Sequence, residues 1–426
     1  MTPAPVVGQA FSPLDEALDL NGSALSPWLQ EAVVRLGNWL PFEQVPEQLA
    51  FLTGVTLSVE TVRRLTEAAG SALVAVETAA LSKQERERPE GPTGPARQQV
   101  SADGAMVPLM HGAWAEVKTL VVGTVEGRTT ASGDSVLHTT DLSSCSRLAD
   151  AEQFGQVAWG ELQRRGTPTA GVVVGVMDGA EWLQGFLDVQ RPDAVRILDF
   201  PHAVEHLSQA VQGSLGVGSA ATTAWLAEQA HVLKHGDPAL VPAAVAALPS
   251  EGAVDPVAAA QAQDQTLAYL AKRWEQIQYA TFQRQGYPIG SGAVESANKL
   301  VVEARLKGSG MPWARPNVNP MVALRAMACS DRWQGEWPQI VAEQRRQGRE
   351  RRRQRCEARR SARLVVPGSA SPALSFCPPI AEPSTAAVAA APPPTIVNGR
   401  PTNRHPWKRF PLLHRQRSRI VESAKT

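Results

Sequence analysis

The chain has 426 residues, 43% of them hydrophobic, enough to bury the cores of two or three domains. Its formal net charge of +1 points by itself to no polyanionic partner. Four cysteines, Cys145, Cys329, Cys356 and Cys377, lie far apart with no CxxC pair, which argues against a zinc knuckle or a disulfide framework and fits a reducing, intracellular compartment.

Residues 1–24 are Pro/Gly-rich and expected to be irregular, and the opening MTPAPVVGQAF lacks the basic and long apolar regions of a secretion signal. Ser26-Pro27 reads as an N-cap followed by Pro at the first helical position, with Leu29, Val33, Leu36 and Leu40 at helical spacing. A second short helix is expected over Glu43–Leu52, closed by Gly54. Ser58 then caps a third, SVETVRRLTEAAG, which Gly70 closes or interrupts. Helix, Gly turn and capped helix bearing Arg63 and Arg64 form a helix-turn-helix pattern, so residues 25–81 are expected to be a DNA-binding domain; a plain helical bundle has the same pattern. Residues 82–99, with PEGPTGP, read as a linker.

A mixed α/β domain begins at residue 100. Val100–Asp103, Trp114–Val125 and Val136–Thr140 read as strands. Ala151, Phe154, Ala158 and Leu162 mark the apolar face of a helix ending near Gly166, and Gly171–Met177 and Ala194–Leu198 read as buried strands. Residues 203–285 carry no strand signal and are expected to be an all-helical insertion, dividing the domain into 100–202 and 286–340. Within the second part, Gly286–Gly292 is a turn and Ala293–Leu306 a helix, with another helix expected over 317–345. Residues 341–364 crowd ten arginines, from Arg345 to Arg363, a block that attracts polyanions or forms a solvated face. Residues 365–426 turn to Pro, Ala and Ser, a composition expected to be disordered, and include the basic-aromatic patch HPWKRF. No apolar run reaches the roughly 18 residues of a membrane span.

Three acids stand in unlike settings: Asp103 in VSADGAMV, Asp178 in GVVVGVMDGAEW and Glu295 in IGSGAVESANK. Carboxylates so presented can converge on hydrated divalent ions, and two such ions can activate the attacking oxygen and stabilise the leaving oxygen of a phosphodiester. Asp103 is expected at a strand end and Asp178 at the carboxyl end of a buried strand, with Gly179 leaving room for a phosphate or metal. Glu295 lies just inside a helix, with Asn298 and Lys299 one turn on; Lys299, Arg305 and Lys307 are candidate DNA contacts, and Asn298 shares that face. Each acid also has a purely structural reading, Asp178-Gly179 and Asp103-Gly104 as turns and Glu295 as a first-turn glutamate favoured by the helix dipole. Glu303 is a rival third acid without the Gly-rich approach. His202 and His206, spaced i, i+4, have no evident third ligand, which favours a structural or DNA-contacting role.

The run PIGSGAVESANKLVVEARLKGSGMPW resembles the C-terminal catalytic segment of ISKra-type insertion-sequence transposases, and VSADGAMVPL, GVMDGAEWLQ and ILDFPHAVEHL resemble their other blocks. The resemblance covers most of residues 12–330, and GSGAVESANK is its most specific part. It implies a DDE transposase with a ribonuclease-H-like fold interrupted by a helical insertion. It also implies Asp103, Asp178 and Glu295 as metal ligands for Mg²⁺ or Mn²⁺, two ions in all. The implied reaction is water-driven nicking at the ends of a bacterial element, then attack of the freed 3′-OH on target DNA, in a cytoplasmic, nucleoid-associated homo-oligomer. Asp199-Phe200-Pro201-His202 resembles the D-x-x-H signature of the wider Mutator-like superfamily. Family members often carry a cysteine-rich, zinc-ribbon-like segment before a PLDE-like stretch. Pro13-Leu14-Asp15-Glu16 has no cysteine before it, which leaves two expectations, a shortened copy or a misassigned start codon. Two other functions share these features: a catalytically inactive, transposase-derived repressor, and a ribonuclease-H-like nuclease without strand transfer.

Overall fold

A computed structural model describes residues 25–87, 91–129, 135–179, 181–251, 253–308, 311–364, 396–397 and 400–401. The expectations for residues 1–24, for Cys377 and for HPWKRF lie outside these.

A five-stranded mixed sheet organises the fold. Its strands are β1 (Arg97–Pro108), β2 (Trp114–Thr129), β3 (Ser135–Arg147), β4 (Val172–Met177) and β5 (Val195–Leu198), in the spatial order β3-β2-β1-β4-β5. The first three form an antiparallel meander, and β4 and β5 run parallel to β1. The parallel strands need crossovers, which α4 (Ala151–Arg164) and α5 (Glu181–Gln190) supply. On their side of the sheet Phe154, Ala158, Leu162 and Leu187 bury Val100, Ala102, Leu120 and Val173. Alternation along β1 sends Gln99, Ser101, Asp103, Ala105 and Val107 to the other face.

Residues 200–284 contain α6 (Phe200–Leu215), α7 (Ala220–His235), α8 (Leu240–Ala246), α9 (Pro256–Lys272) and α10 (Tyr279–Arg284). Among the described residues of this segment there are helices and turns and no strand. Its apolar faces close on Val174, Val176, Ile197 and Leu198 of the parallel strands. The chain returns to the sheet through α11 (Gly292–Ala297), a π-helical turn (Asn298–Glu303) and α12 (Ala304–Leu306), followed by α13 (Arg315–Cys329) and α14 (Trp333–Leu364). The one continuous helix expected over Ala293–Leu306 is thus broken in pitch at Asn298.

The expected separation of an N-terminal domain from the sheet domain is not observed. α1 (Pro27–Trp39) and α2 (Val45–Thr53) have the expected caps, with Ser26 accepting from the Leu29 amide and Gly54 closing α2 at φ +72°. The third helix, α3, runs from Val59 to Glu87 without ending at Gly70. There the missing side chain lets α13 approach, since a Cβ on Gly70 would fall 2.3 Å from the Pro320 carbonyl oxygen. Residues 82–87 of the expected linker extend α3, and 97–99 begin β1. Leu29, Val33, Leu49 and Val62 share a core with Val107, Val117, Val302 and Val322, so the described residues from 25 to 360 form one compact unit. The strands also run longer than their apolar segments predict. β1 extends to Pro108 because pairing with β2 continues unbroken past Asp103-Gly104.

The arginine block continues α14, and most of its arginines, including Arg349, Arg351 and Arg359, are exposed. Of the expected disordered tail, the described residues are two short strands, Ile396–Val397 and Arg400–Pro401, paired antiparallel. No helix among the described residues is long and apolar enough to cross a membrane.

Candidate functional site

The centre of the sheet brings two of the sequence-selected acids together. Asp103 lies within β1, opposite Thr119 of β2, and not at a strand end as expected. β1 and β4 pair with Arg97 level with Val172 and Val100 level with Gly175. The same offset brings Asp103 level with Asp178, the first residue beyond β4. Burial raises the Asp103 carboxyl above the ordinary aspartate range, and the charge of Asp178 raises it further. Opposing these, Asp103 Oδ1 accepts from the Gly104 amide at 2.7 Å and Oδ2 from Asn298 Nδ2 at 2.9 Å, and His202 helps as a nearby cation.

Asp178 is held from its backbone. Tyr269 of α9 donates its hydroxyl to the Asp178 carbonyl at 2.9 Å, and Arg273, the residue that caps the end of α9, donates to the Gly179 carbonyl. The two side chains also stack, the guanidinium 4.4 Å from the phenol ring. Gly179 has φ +84°, where a side chain is strained, and a Cβ there would meet Arg273 Nε at 2.3 Å. The space expected to admit a phosphate or metal is therefore occupied by Arg273 and Tyr269. Burial pushes the Tyr269 hydroxyl up to about 12, so it remains a donor at neutral pH.

Asp199 joins the insertion to the rest of the site. It is fully buried and caps α6, accepting from the His202 amide at 3.2 Å and from His202 Nδ1 at 2.8 Å on Oδ2, while Oδ1 accepts from the Ser291 amide at 2.6 Å. The hydrogen bond and charge of Asp199 raise the His202 pKa above its ordinary value, against the burial of the ring, and Asp178 adds to the rise. His206 does not join His202 at a common ligand. It stacks on Tyr269 with ring centroids 3.6 Å apart, and burial lowers its pKa.

The helix carrying Glu295 lies over this face, and its neighbours divide by role. Glu295 is half-buried on α11 and Lys299 is exposed. Asn298, expected on a DNA-contacting face, is 5% exposed and turned to Asp103, with its Oδ1 buried and unpartnered. Arg305, an expected phosphate contact, is 2% exposed: its guanidinium stacks on Phe42 and Trp313, 4.4 and 5.0 Å from the ring centroids, and donates to the Gly37 carbonyl. It ties α1 to α12 and cannot reach a ligand. Lys307 pairs with Glu303 at 2.6 Å, which also engages the rival third acid. Arg63 is forked onto Glu60 and bonded to Glu67, while Arg64 is exposed.

Chemically, Asp103 and Asp178 offer oxygen donors of the kind Mg²⁺ takes, and a cation would relieve their mutual repulsion. The buried, unpartnered Asn298 Oδ1 is a further oxygen beside Asp103. Glu295 is not gathered with the pair: among the described residues, no three His, Cys, Asp or Glu side chains stand close enough together to hold an ion. Asp199, Tyr269 and Arg273 were not singled out as site residues. Asp199 had a signal, as an N-cap before Pro and His, whereas Tyr269 and Arg273 lie inside the insertion, far along the chain from Asp178. No protein-family model matches the chain, and no curated protein matches it significantly.

Proposed function

We propose that this chain is a DDE transposase of a bacterial insertion sequence, of the ISKra type, that cuts DNA at element ends and joins them to target DNA. The observation that carries the reading is the placement of Asp103 within β1 near Asp178 just beyond the neighbouring β4, both half-buried and each within reach of the other's charge. The antiparallel meander, the two added parallel strands and the helical insertion before the Glu295 helix support a ribonuclease-H-like catalytic domain.

Asp103 and Asp178 are the residues that would hold a divalent ion, with Glu295 as the third acid carried on α11. Mg²⁺ or Mn²⁺, when bound, supplies an activated water and charge relief on the departing oxygen. The chain's own residues prepare the site. Asn298 and the Gly104 amide orient Asp103 and favour its ionised form against the effect of burial. Tyr269 and Arg273 fix the backbone that presents Asp178. Asp199 orients His202 beside the acids and raises its affinity for a proton, and the protonated ring would favour approach of a phosphate.

An inactive DNA-binding derivative is the second reading, which the exposed arginines of α14 would serve equally. Mg²⁺-dependent nicking of a duplex carrying the flanking element end, with Asp178→Ala as control, tests the two. Nicking lost in the variant supports a transposase; binding without nicking in either protein supports the inactive derivative.

A further inference from the structure

Beside α11 lies a cleft of about 890 Å³ that none of the groups above occupies. We propose that it binds the sugar-phosphate backbone of a DNA strand running to the carboxylates, an inference that rests on the site being one that cuts phosphodiesters. Three observations carry it.

The first is charge. The cleft is lined by Arg97, Arg284 and His138, all exposed, and no Asp or Glu lines it among the described residues. Arg284 donates to the Thr281 hydroxyl at 3.0 Å, and neither it nor Arg97 is ion-paired among the described residues. These two guanidiniums differ from Arg63 and Arg305, whose donors are already used by carboxylates or a carbonyl.

The second is placement. Ala293 and Ser296 of α11 line the cleft, whereas Asn298 faces Asp103. At about 100° per residue these positions lie on opposite sides of the helix. A ligand in the cleft is therefore separated from Asp103 only by the width of this short helix and the segment leading into it.

The third is the shape of that segment. It reads Gly290-Ser291-Gly292, and a Cβ added at either glycine would meet open space. Ser291 is itself buried, its amide held by Asp199, and the Gly290 carbonyl accepts from Gln99 Nε2 at 3.1 Å. Gln99 in turn accepts from the Thr139 hydroxyl of β3. The result is a low, fixed backbone saddle between a cationic cleft and an acidic pair, over which a phosphate chain can pass without displacing a side chain.

The test is DNA binding by the full chain with Arg97→Gln and Arg284→Gln combined, measured by anisotropy of a labelled random-sequence duplex and its single strand from low to high salt. Loss of two phosphate contacts should make the plot of log K against log salt shallower by about two. An unchanged slope in a variant of unchanged Tm overturns the proposal. If the double variant fails to fold, His138→Glu, which sets an anion in the cleft, must weaken binding, and binding as tight as wild type overturns it. Polyglutamate bound as tightly as DNA would overturn the assignment to nucleic acid. A reduced slope in a protein that never nicks leaves the cleft assigned and removes the catalytic reading. Nicking that persists with an unchanged slope does the reverse.

Discussion

Replacing Asp199 should test how the site is held together. Its carboxylate is fully buried, caps α6, bonds the His202 ring at 2.8 Å and accepts from the Ser291 amide at 2.6 Å. Asp199→Ala removes an N-cap, about 1 kcal/mol. It also removes a charge-assisted bond to His202, about 1.5–3 kcal/mol, and strands a buried amide at a cost of about 1–3 kcal/mol. These contributions share one residue and do not add fully, so a loss of about 3–5 kcal/mol is expected. Asp199→Asn keeps the volume and one acceptor oxygen and should cost less. With that oxygen on Ser291, its NH₂ meets His202 Nδ1 and forces the ring to accept. Urea denaturation gives the energies, and NMR titration of the His202 ring gives the charge state. The His202 pKa should fall in both variants. Because its folded value is raised in the wild type, His202 contributes stability fully present below its unfolded pKa, and lost as pH rises through the folded one. A loss below about 1 kcal/mol for Asp199→Ala, or an unmoved His202 titration, would refute the reasoning.

Other predictions follow from the same geometry. Asp103→Asn should stabilise the fold at neutral pH, because burial and Asp178 raise the folded-state pKa above the unfolded one. That gain should vanish as pH falls through the unfolded value, which thermal melts at a series of pH values will show. The same variant should lose nicking while keeping DNA binding. Arg305→Ala, which empties a buried cation site between Phe42 and Trp313, should cost about 3 kcal/mol or more in urea unfolding and leave the salt slope of DNA binding unchanged. Gly70→Ala should destabilise by about 1–3 kcal/mol, since the new methyl meets the Pro320 backbone and not a movable side chain; an unchanged midpoint would show that α3 and α13 can separate.

The strands, the crossover helix and the helical insertion were legible because their signals are local: apolar runs, caps and turns. What failed was everything set by distant partners. Asp103-Gly104 has the composition of a turn, yet β2 continues to pair past it, so Asp103 lies mid-strand. Gly70 has the composition of a helix end, yet it is a contact point for α13. Asn298 and Arg305 look like a polar helix face, but the π-helical turn redirects them, one to Asp103 and the other into an aromatic cage. A helix-turn-helix pattern in 25–81 says nothing of whether its apolar faces close on themselves, and here they close on the sheet.

The insertion leaves the sheet and returns to it at nearly one point. The Phe200 amide bonds the Ile289 carbonyl at 3.0 Å, next to the bond from Ser291 to Asp199. Closing a loop of that length costs about 4 kcal/mol of chain entropy, and this clasp sets where it closes. A module hinged so narrowly can change length or sequence over evolution without disturbing the strands beneath it. Yet Tyr269 and Arg273 reach back from inside it to the backbone of Asp178 and Gly179. Its drift is therefore bounded by two side chains at the end of one helix, and a swap that kept the clasp but lost them would yield a well-folded sheet with a slack second acid.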